Sequence, residues 1–192
     1  VNSDKVKAFC EEASKKTLVY ADEAYLEFLE PSEQKSMVSI IQRNPNVVVS
    51  KTFSKIYGLA GLRIGYLVGH PDVLSKIGKY GDTISPSQTA LAAAKASVGD
   101  LDFMKMTRQK NAVARKVLTD YLDQKKYFYG KSLTNVVLFP APKEGKSILT
   151  QLDQKGYLIR IWEYQGKEWC RVSIGTQEEM KGFIKAFDEL TA

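Results

Sequence analysis

Two short stretches of the 192-residue chain bring together residue types that can do chemistry. The first is Asp22-Glu23-Ala24-Tyr25, a carboxylate and a phenol three residues apart, directly after an apolar run. The second is Thr52-Phe53-Ser54-Lys55, followed by Gly58, Gly61 and Arg63. A lysine with hydroxyls at minus one and minus three, and an arginine eight residues on, can be read in two ways. The group could hold a phosphate as a P-loop does, but the GxxxxGK[ST] spacing is absent. Alternatively, the lysine is a nucleophilic amine beside a phosphorylated aldehyde cofactor. That cofactor requires a carboxylate against its pyridine nitrogen, and Asp22 is a candidate. Taken singly, Lys55 would be a solvated surface charge and Asp22 a cap or loop acid; the grouping carries the signal. Glu23 reads as structural.

The elements that must position these residues follow from the hydropathy pattern. Val6, Phe9, Cys10 and Ala13 lie at helical spacing and predict a helix over residues 2–16. The apolar run at 17–21 predicts a strand buried on both faces. A looser acidic segment with Pro31 as breaker leads to a short helix near 37–43, a strand at 46–50, a loop at 51–61 and a strand at 62–68. Asp22 and Lys55 then fall beyond the carboxyl ends of strands, where open α/β sheets bind ligands. Pro71, after His70, opens a helix to about residue 80. Ser85-Pro86 opens an alanine-rich helix, and a long helix runs over 101–124. After Gly130 the pattern predicts strands at 136–139, 157–162 and 169–174. A helix near 147–155 is ended by Gly156. The last helix is opened by a capping box, Thr176 with Glu179. Alternating strands and helices up to residue 103 predict an α/β unit with a parallel sheet, and residues 104–192 a smaller α+β unit.

Composition narrows the classes. Hydrophobic residues make up 44% and charged residues 26%, as in globular proteins rather than disordered, collagen-like or disulfide-stapled ones. The net charge of +6 is spread among acids, with no basic stripe set with aromatics, so no nucleic-acid partner is expected. No apolar run reaches the roughly 18–20 residues of a membrane span, and no leader is read. Cys10 and Cys170 lie far apart, and His70 is the single histidine; no metal site is expected, and reduced thiols suit the cytoplasm. Val1 in place of an initiator methionine suggests a piece of a longer protein.

The sequence resembles the fold type I pyridoxal-phosphate aminotransferases of classes I and II, most closely the histidinol-phosphate branch. Four stretches carry the resemblance, in the family's order: Tyr20-Ala21-Asp22-Glu23-Ala24-Tyr25; the lysine-centred run from Thr52 to Gly65; Thr134-Asn135; and Arg171-Val172-Ser173-Ile174-Gly175. The lysine-centred run is the specific one; the others are weak alone. The resemblance implies that the chain is the C-terminal part of such an enzyme, with residues 1–103 from the large cofactor-binding domain and 104–192 the small domain. It implies pyridoxal 5'-phosphate as cofactor. Lys55 would bond to its aldehyde and shuttle a proton, Asp22 would pair with the pyridinium, and Tyr25 would bond the ring oxygen. Thr52, Ser54 and Arg63 would hold the phosphate. Arg171 would clamp a substrate carboxylate, with Arg160 as a rival, and Asn135 would lie near the substrate. The implied reaction moves an amino group between an amino compound, histidinol phosphate first, and 2-oxoglutarate. Aromatic amino-acid transamination and amino-acid phosphate decarboxylation are the alternatives on the same scaffold. A homodimer is implied. The aromatic ring that stacks on the cofactor, an asparagine and a glycine-rich phosphate-binding helix start lie outside these residues, so the stretch alone is expected to be inactive.

Overall fold

The computed structural model describes residues 2–81 and 85–191. The chain divides into two compact units, Val1–Met104 and Lys105–Ala192.

In the first unit Asn2 caps a helix, α1 (Ser3–Ala13), by accepting the Asp4 and Lys5 amides. Three strands follow: β1 (Val19–Asp22), β2 (Val47–Thr52) and β3 (Gly65–Val68). They pair in the order β1-β2-β3. β1 and β2 are parallel, with Asp22 opposite Ser50. β3 is antiparallel to β2, with Thr52 opposite Gly65. The sheet is therefore mixed where a parallel one is expected. The cause is the connection: residues 53–64 form a loop with no crossover helix, so the chain folds straight back on β2.

β1 also departs from expectation. It is not covered on both faces but alternates, with Tyr20 60% exposed. Its single strand partner among the described residues is β2. β2 is the covered strand, with Val47, Val48 and Val49 fully buried. Met37, Ile40 and Cys10 pack against it from a short 3-10 turn (Met37–Ile40) and from α1. His70 accepts the Asp72 amide at the start of α2 (Pro71–Gly78). α3 (Gln88–Val98) begins after Ser87, not Ser85: the Ser87 hydroxyl accepts the Ala90 amide, the bond that defines the cap. Ala90 and Ala94 pack on Phe53 and Ile64, so α3 underlies the lysine loop.

The long helix α4 (Leu101–Gln124) contains the division between the units. The second unit is a three-stranded antiparallel sheet of β4 (Val136–Pro140), β5 (Arg160–Tyr164) and β6 (Lys167–Ser173), with β6 central. Its helices are α5 (Gly145–Gln154) and α6 (Gln177–Thr191). Gly156 adopts φ +81° after α5, the left-handed turn that ends it. At α6 the Thr176 hydroxyl accepts the Glu179 amide while Glu179 Oε2 accepts the Thr176 amide, the reciprocal pair of a capping box. Phe139, Phe183 and Phe187 are almost wholly buried; Phe187 stacks on Phe183 and meets Phe139 edge to face, each pair with centroids 5.5 Å apart, at the centre of this core. Among the described residues no helix is long and apolar enough to cross a membrane.

Candidate active site

Because β1 and β2 run parallel, both carboxyl ends open onto one edge of the sheet. Asp22 ends β1, and its Oδ1 accepts two hydrogen bonds: from the Ala24 amide at 3.0 Å and from Ser50 Oγ at 3.2 Å. The first closes a tight Asx-type turn that swings the chain toward Tyr25. The second ties the carboxylate to the neighbouring strand. Tyr25 then precedes a short 3-10 turn (Leu26–Phe28) anchored by buried Phe28.

Lys55 lies three residues beyond β2. Phe53 and Ile56 are buried, which leaves the half-buried Ser54 and Lys55 between them facing outward. The loop is closed by Gly58 N–H to the Lys55 carbonyl and by Leu59 N–H to the Phe53 carbonyl, both 3.0 Å. Gly58 has φ +71°, a left-handed turn that suits glycine. Thr52 Oγ1 accepts the Ser54 amide at 3.0 Å, which sets both hydroxyls at the loop entrance. The Lys55 ammonium stands 5.3 Å from the centre of the Tyr25 ring. Asp22, Tyr25, Thr52, Ser54 and Lys55 are thus gathered along one edge.

Arg63 is held differently. Its backbone is left-handed, φ 50°, ψ 50°, and its Nη1 donates to the Ala60 carbonyl at 2.9 Å, bracing the 3-10 turn Ala60–Leu62. The side chain is exposed, with further guanidinium donors available to an anion.

The residues between these groups matter too. Glu23 is 9% exposed and, as expected, structural: it accepts from Ser36 Oγ at 2.7 Å and from the Met37 amide at 2.6 Å. Sequence reasoning missed Lys51, whose ammonium bridges Glu23 at 2.9 Å and Glu27 at 2.7 Å in a largely buried cluster. Burial works against the Lys51 charge, but the hydrogen bonds it donates to Glu27 and Glu23 outweigh that and hold its pKa above the ordinary lysine value. It also missed Ser50. The signal for Ser50 was the parallel register, which sets it opposite Asp22.

In the second unit Arg171 sits on β6 opposite both Leu138 and Arg160. Its guanidinium lies 5.3 Å from the Trp162 ring centre, a cation–π contact not foreseen. Asn135 directly precedes β4; its carbonyl accepts the Ile174 amide at 2.8 Å. The Thr134 carbonyl beside it takes donors from Asn111 and Arg115 on α4. Strand alternation puts Asn135 on the side of buried Val137 and Phe139, away from Leu138 and Arg171. Asn135 Oδ1 is buried without a hydrogen-bond partner among the described residues. No group of three potential metal-ligating side chains occurs among the described residues.

Comparison with known proteins gives this arrangement its context. The family model "Aminotransferase class I and II" matches residues 2–187. The chain belongs to that family. It is 33% identical over 194 residues to histidinol-phosphate aminotransferase 2 of Ralstonia nicotianae, an alignment that covers 99% of this chain and 52% of the relative. The histidinol-phosphate aminotransferase of Sinorhizobium meliloti, solved in complex with pyridoxal-5'-phosphate, superposes with a TM-score of 0.88 at 28% identity, over all of this chain and 53% of the other. L-threonine-O-3-phosphate decarboxylase of Porphyromonas gingivalis matches with a TM-score of 0.80 at 21% identity, covering 98% and 58%; that likeness is one of fold alone. The chain spans about half the length of the curated relatives it matches.

Proposed function

We propose that the protein is a pyridoxal-phosphate-dependent aminotransferase acting on histidinol phosphate with 2-oxoglutarate as acceptor. The observation that carries the reading is the Lys55 ammonium over the Tyr25 ring, on the same strand edge as Asp22. The donor set fits the cofactor: an amine for the aldehyde, a fixed carboxylate for the ring nitrogen, a phenol, and two hydroxyls with an arginine for the phosphate. Residues 1–103 serve as part of the large domain and 104–192 as the small domain in this reading, and the enzyme works as a cytoplasmic homodimer.

Once bound, pyridoxal phosphate supplies an electron sink for the charge left at the substrate Cα. The protein's residues do the rest. Asp22, its Oδ1 fixed by Ala24 and Ser50, keeps the pyridine nitrogen protonated through a charge-assisted hydrogen bond. Lys55 would present its amine to the cofactor aldehyde and would serve as the base that moves a proton from the substrate Cα. The Tyr25 hydroxyl donates to the ring oxygen. Thr52, Ser54 and Arg63 would anchor the phosphate, the arginine through the guanidinium donors that its bond to Ala60 leaves over. Arg171 would grip the substrate carboxylate with its planar fork, with Arg160 opposite it across the strands.

The test is a substrate panel on the protein as its gene encodes it. Histidinol phosphate with 2-oxoglutarate is expected to turn over, and Lys55→Ala to lower kcat by roughly 10³-fold or more. Wild-type turnover in Lys55→Ala ends the mechanism. Carbon dioxide release from an amino-acid phosphate, or preference for aromatic amino acids, replaces the substrate assignment. The 192 residues by themselves are expected to bind cofactor weakly and to turn nothing over.

A further inference from the structure

The guanidinium of Arg171 meets neither a carboxylate nor a carbonyl among the described residues; its contact is the Trp162 ring, 5.3 Å from the guanidinium carbon to the ring centre. Strand register explains the pairing. Arg171 lies opposite Arg160, and Trp162, two residues further along β5, is its diagonal neighbour across the strands. Long and aromatic side chains reach each other over that diagonal. Alternation puts all three on the face away from buried Cys170 and Val172. The acids of these two strands, Glu163 and Glu168, fall on the other face, where Glu168 accepts the Gly145 amide at 2.7 Å. β4 carries no acid, so no carboxylate of the sheet shares the face with Arg171. The neighbouring Trp169 ring is already met edge-on by Phe128 and Tyr164, with centroids at 6.2 and 6.4 Å. Trp162 is paired with no other ring among the described residues, and its face is free for the cation.

We propose that Trp162 is the positioning residue for Arg171, holding its guanidinium against the indole so that a substrate carboxylate meets a cation already ordered. This rests on the function proposed above, which gives Arg171 the carboxylate. Two arginines directly opposite each other repel. Arg160 is exposed and can turn to solvent, whereas Arg171 is half-buried on the central strand and stays on the face. An ion pair would hold Arg171 as well, but its carboxylate would occupy the same N–H donors that the substrate needs. The indole attracts the cation through its ring quadrupole and takes none of those donors. The contact therefore orders the fork while leaving it open to an anion, and a preorganised group loses less freedom on binding. A carboxylate away from the reacting bond is held alike before and during the reaction. Loss of the indole accordingly weakens binding and leaves the chemical step alone.

The test uses the protein as its gene encodes it and two readouts. One is steady-state kinetics with 2-oxoglutarate; the other is calorimetric titration with glutarate, a dicarboxylate with no oxo group to react. Arg171→Ala is expected to weaken glutarate by about tenfold or more. Trp162→Leu keeps apolar cover but has no ring face. It should raise the glutarate Kd and the KM for 2-oxoglutarate by about fivefold each, with kcat within about twofold of wild type. Trp162→Tyr, which restores a ring face, should stay within about twofold in all three. In an Arg171→Ala background Trp162→Leu changes nothing further, since the indole acts through the arginine. Unchanged Kd and KM in Trp162→Leu, a failed rescue by tyrosine, a fall in kcat at constant KM, or full additivity with Arg171→Ala overturns the proposal while the proposed function stands. Glutarate binding insensitive to Arg171→Ala removes the arginine from carboxylate binding, and the proposal with it. If 2-oxoglutarate is not turned over, the proposed function falls by itself and the glutarate series alone decides the role of Trp162. If Trp162→Leu fails to fold, Trp162→Met is judged by the same outcomes.

Discussion

Replacing Gly65 by alanine tests the geometry of the site edge with a single methyl group. Gly65 lies in β3 opposite Thr52. A Cβ there would stand 2.7 Å from the Lys51 carbonyl oxygen and 3.5 Å from Thr52 Cα. Both are backbone, so no rotamer change relieves the clash, and β2 and β3 must part where β2 leads into the Lys55 loop. Overpacking of this kind costs about 1–3 kcal/mol. The first unit holds 104 residues. For domains of about that size each kcal/mol lowers the melting midpoint by about 4–8 °C, so a fall of about 4–24 °C is expected. Gly61→Ala is the control: nothing lies within 4 Å of its added methyl, and its effect should stay within about 0.5 kcal/mol. Circular dichroism gives the midpoints, and hydrogen exchange over residues 47–52 and 65–68 localises the damage. Unchanged melting together with unchanged exchange in Gly65→Ala would refute the β2–β3 register and the close approach derived from it.

Other outcomes follow from the second unit. Phe187→Ala empties the centre of the aromatic stack and should cost about 3–5 kcal/mol by urea titration. Thr176→Ala removes one half of the α6 capping box and should cost about 1 kcal/mol in the same assay. Burial pushes the Cys170 thiol pKa up to about 12, with Glu168 adding to the effect. The thiol is raised in the folded state, so its contribution is complete below the ordinary thiol range of about 8.5 and fades as pH climbs toward the folded value. The urea midpoint should therefore drop between about pH 9 and 11, and less steeply in Cys170→Ala. Both thiols are buried and should resist alkylation at neutral pH until the chain unfolds.

Legibility in the sequence tracked the range of the interactions. Local signals were readable: α4 begins and ends where its periodicity does, the Thr176–Glu179 box forms, and Gly156 turns left-handed. What needed pairing was not. Apolar composition alone cannot separate a strand with one neighbour from a strand with two, so the run before Asp22 and the valines of β2 read alike, yet Tyr20 is exposed and Val48 is not. Direction was equally hidden, because β3 takes its sense from the loop that precedes it. At the candidate site, residue types and spacing pointed to Lys55, Asp22 and Tyr25, and the parallel β1–β2 register gathers them. Ser50 and Lys51 were invisible because each acts across strands, on Asp22 and on the two glutamates. Trp162 went unseen for the same reason, since its partner Arg171 lies on another strand.

The left-handed backbone at Arg63 sets two demands against each other. A residue with a Cβ at φ 50° carries a conformational cost of about 1 kcal/mol that glycine would escape. Arg63→Gly should accordingly melt no lower than the parent while losing affinity for inorganic phosphate, and a lower melting point would show that the guanidinium brace to Ala60 outweighs the strain. Heat tolerance alone favours glycine at this position, whereas the anion capture of the proposed function favours arginine. Whichever residue a descendant of this chain carries at position 63 thus records which of those pressures it last experienced.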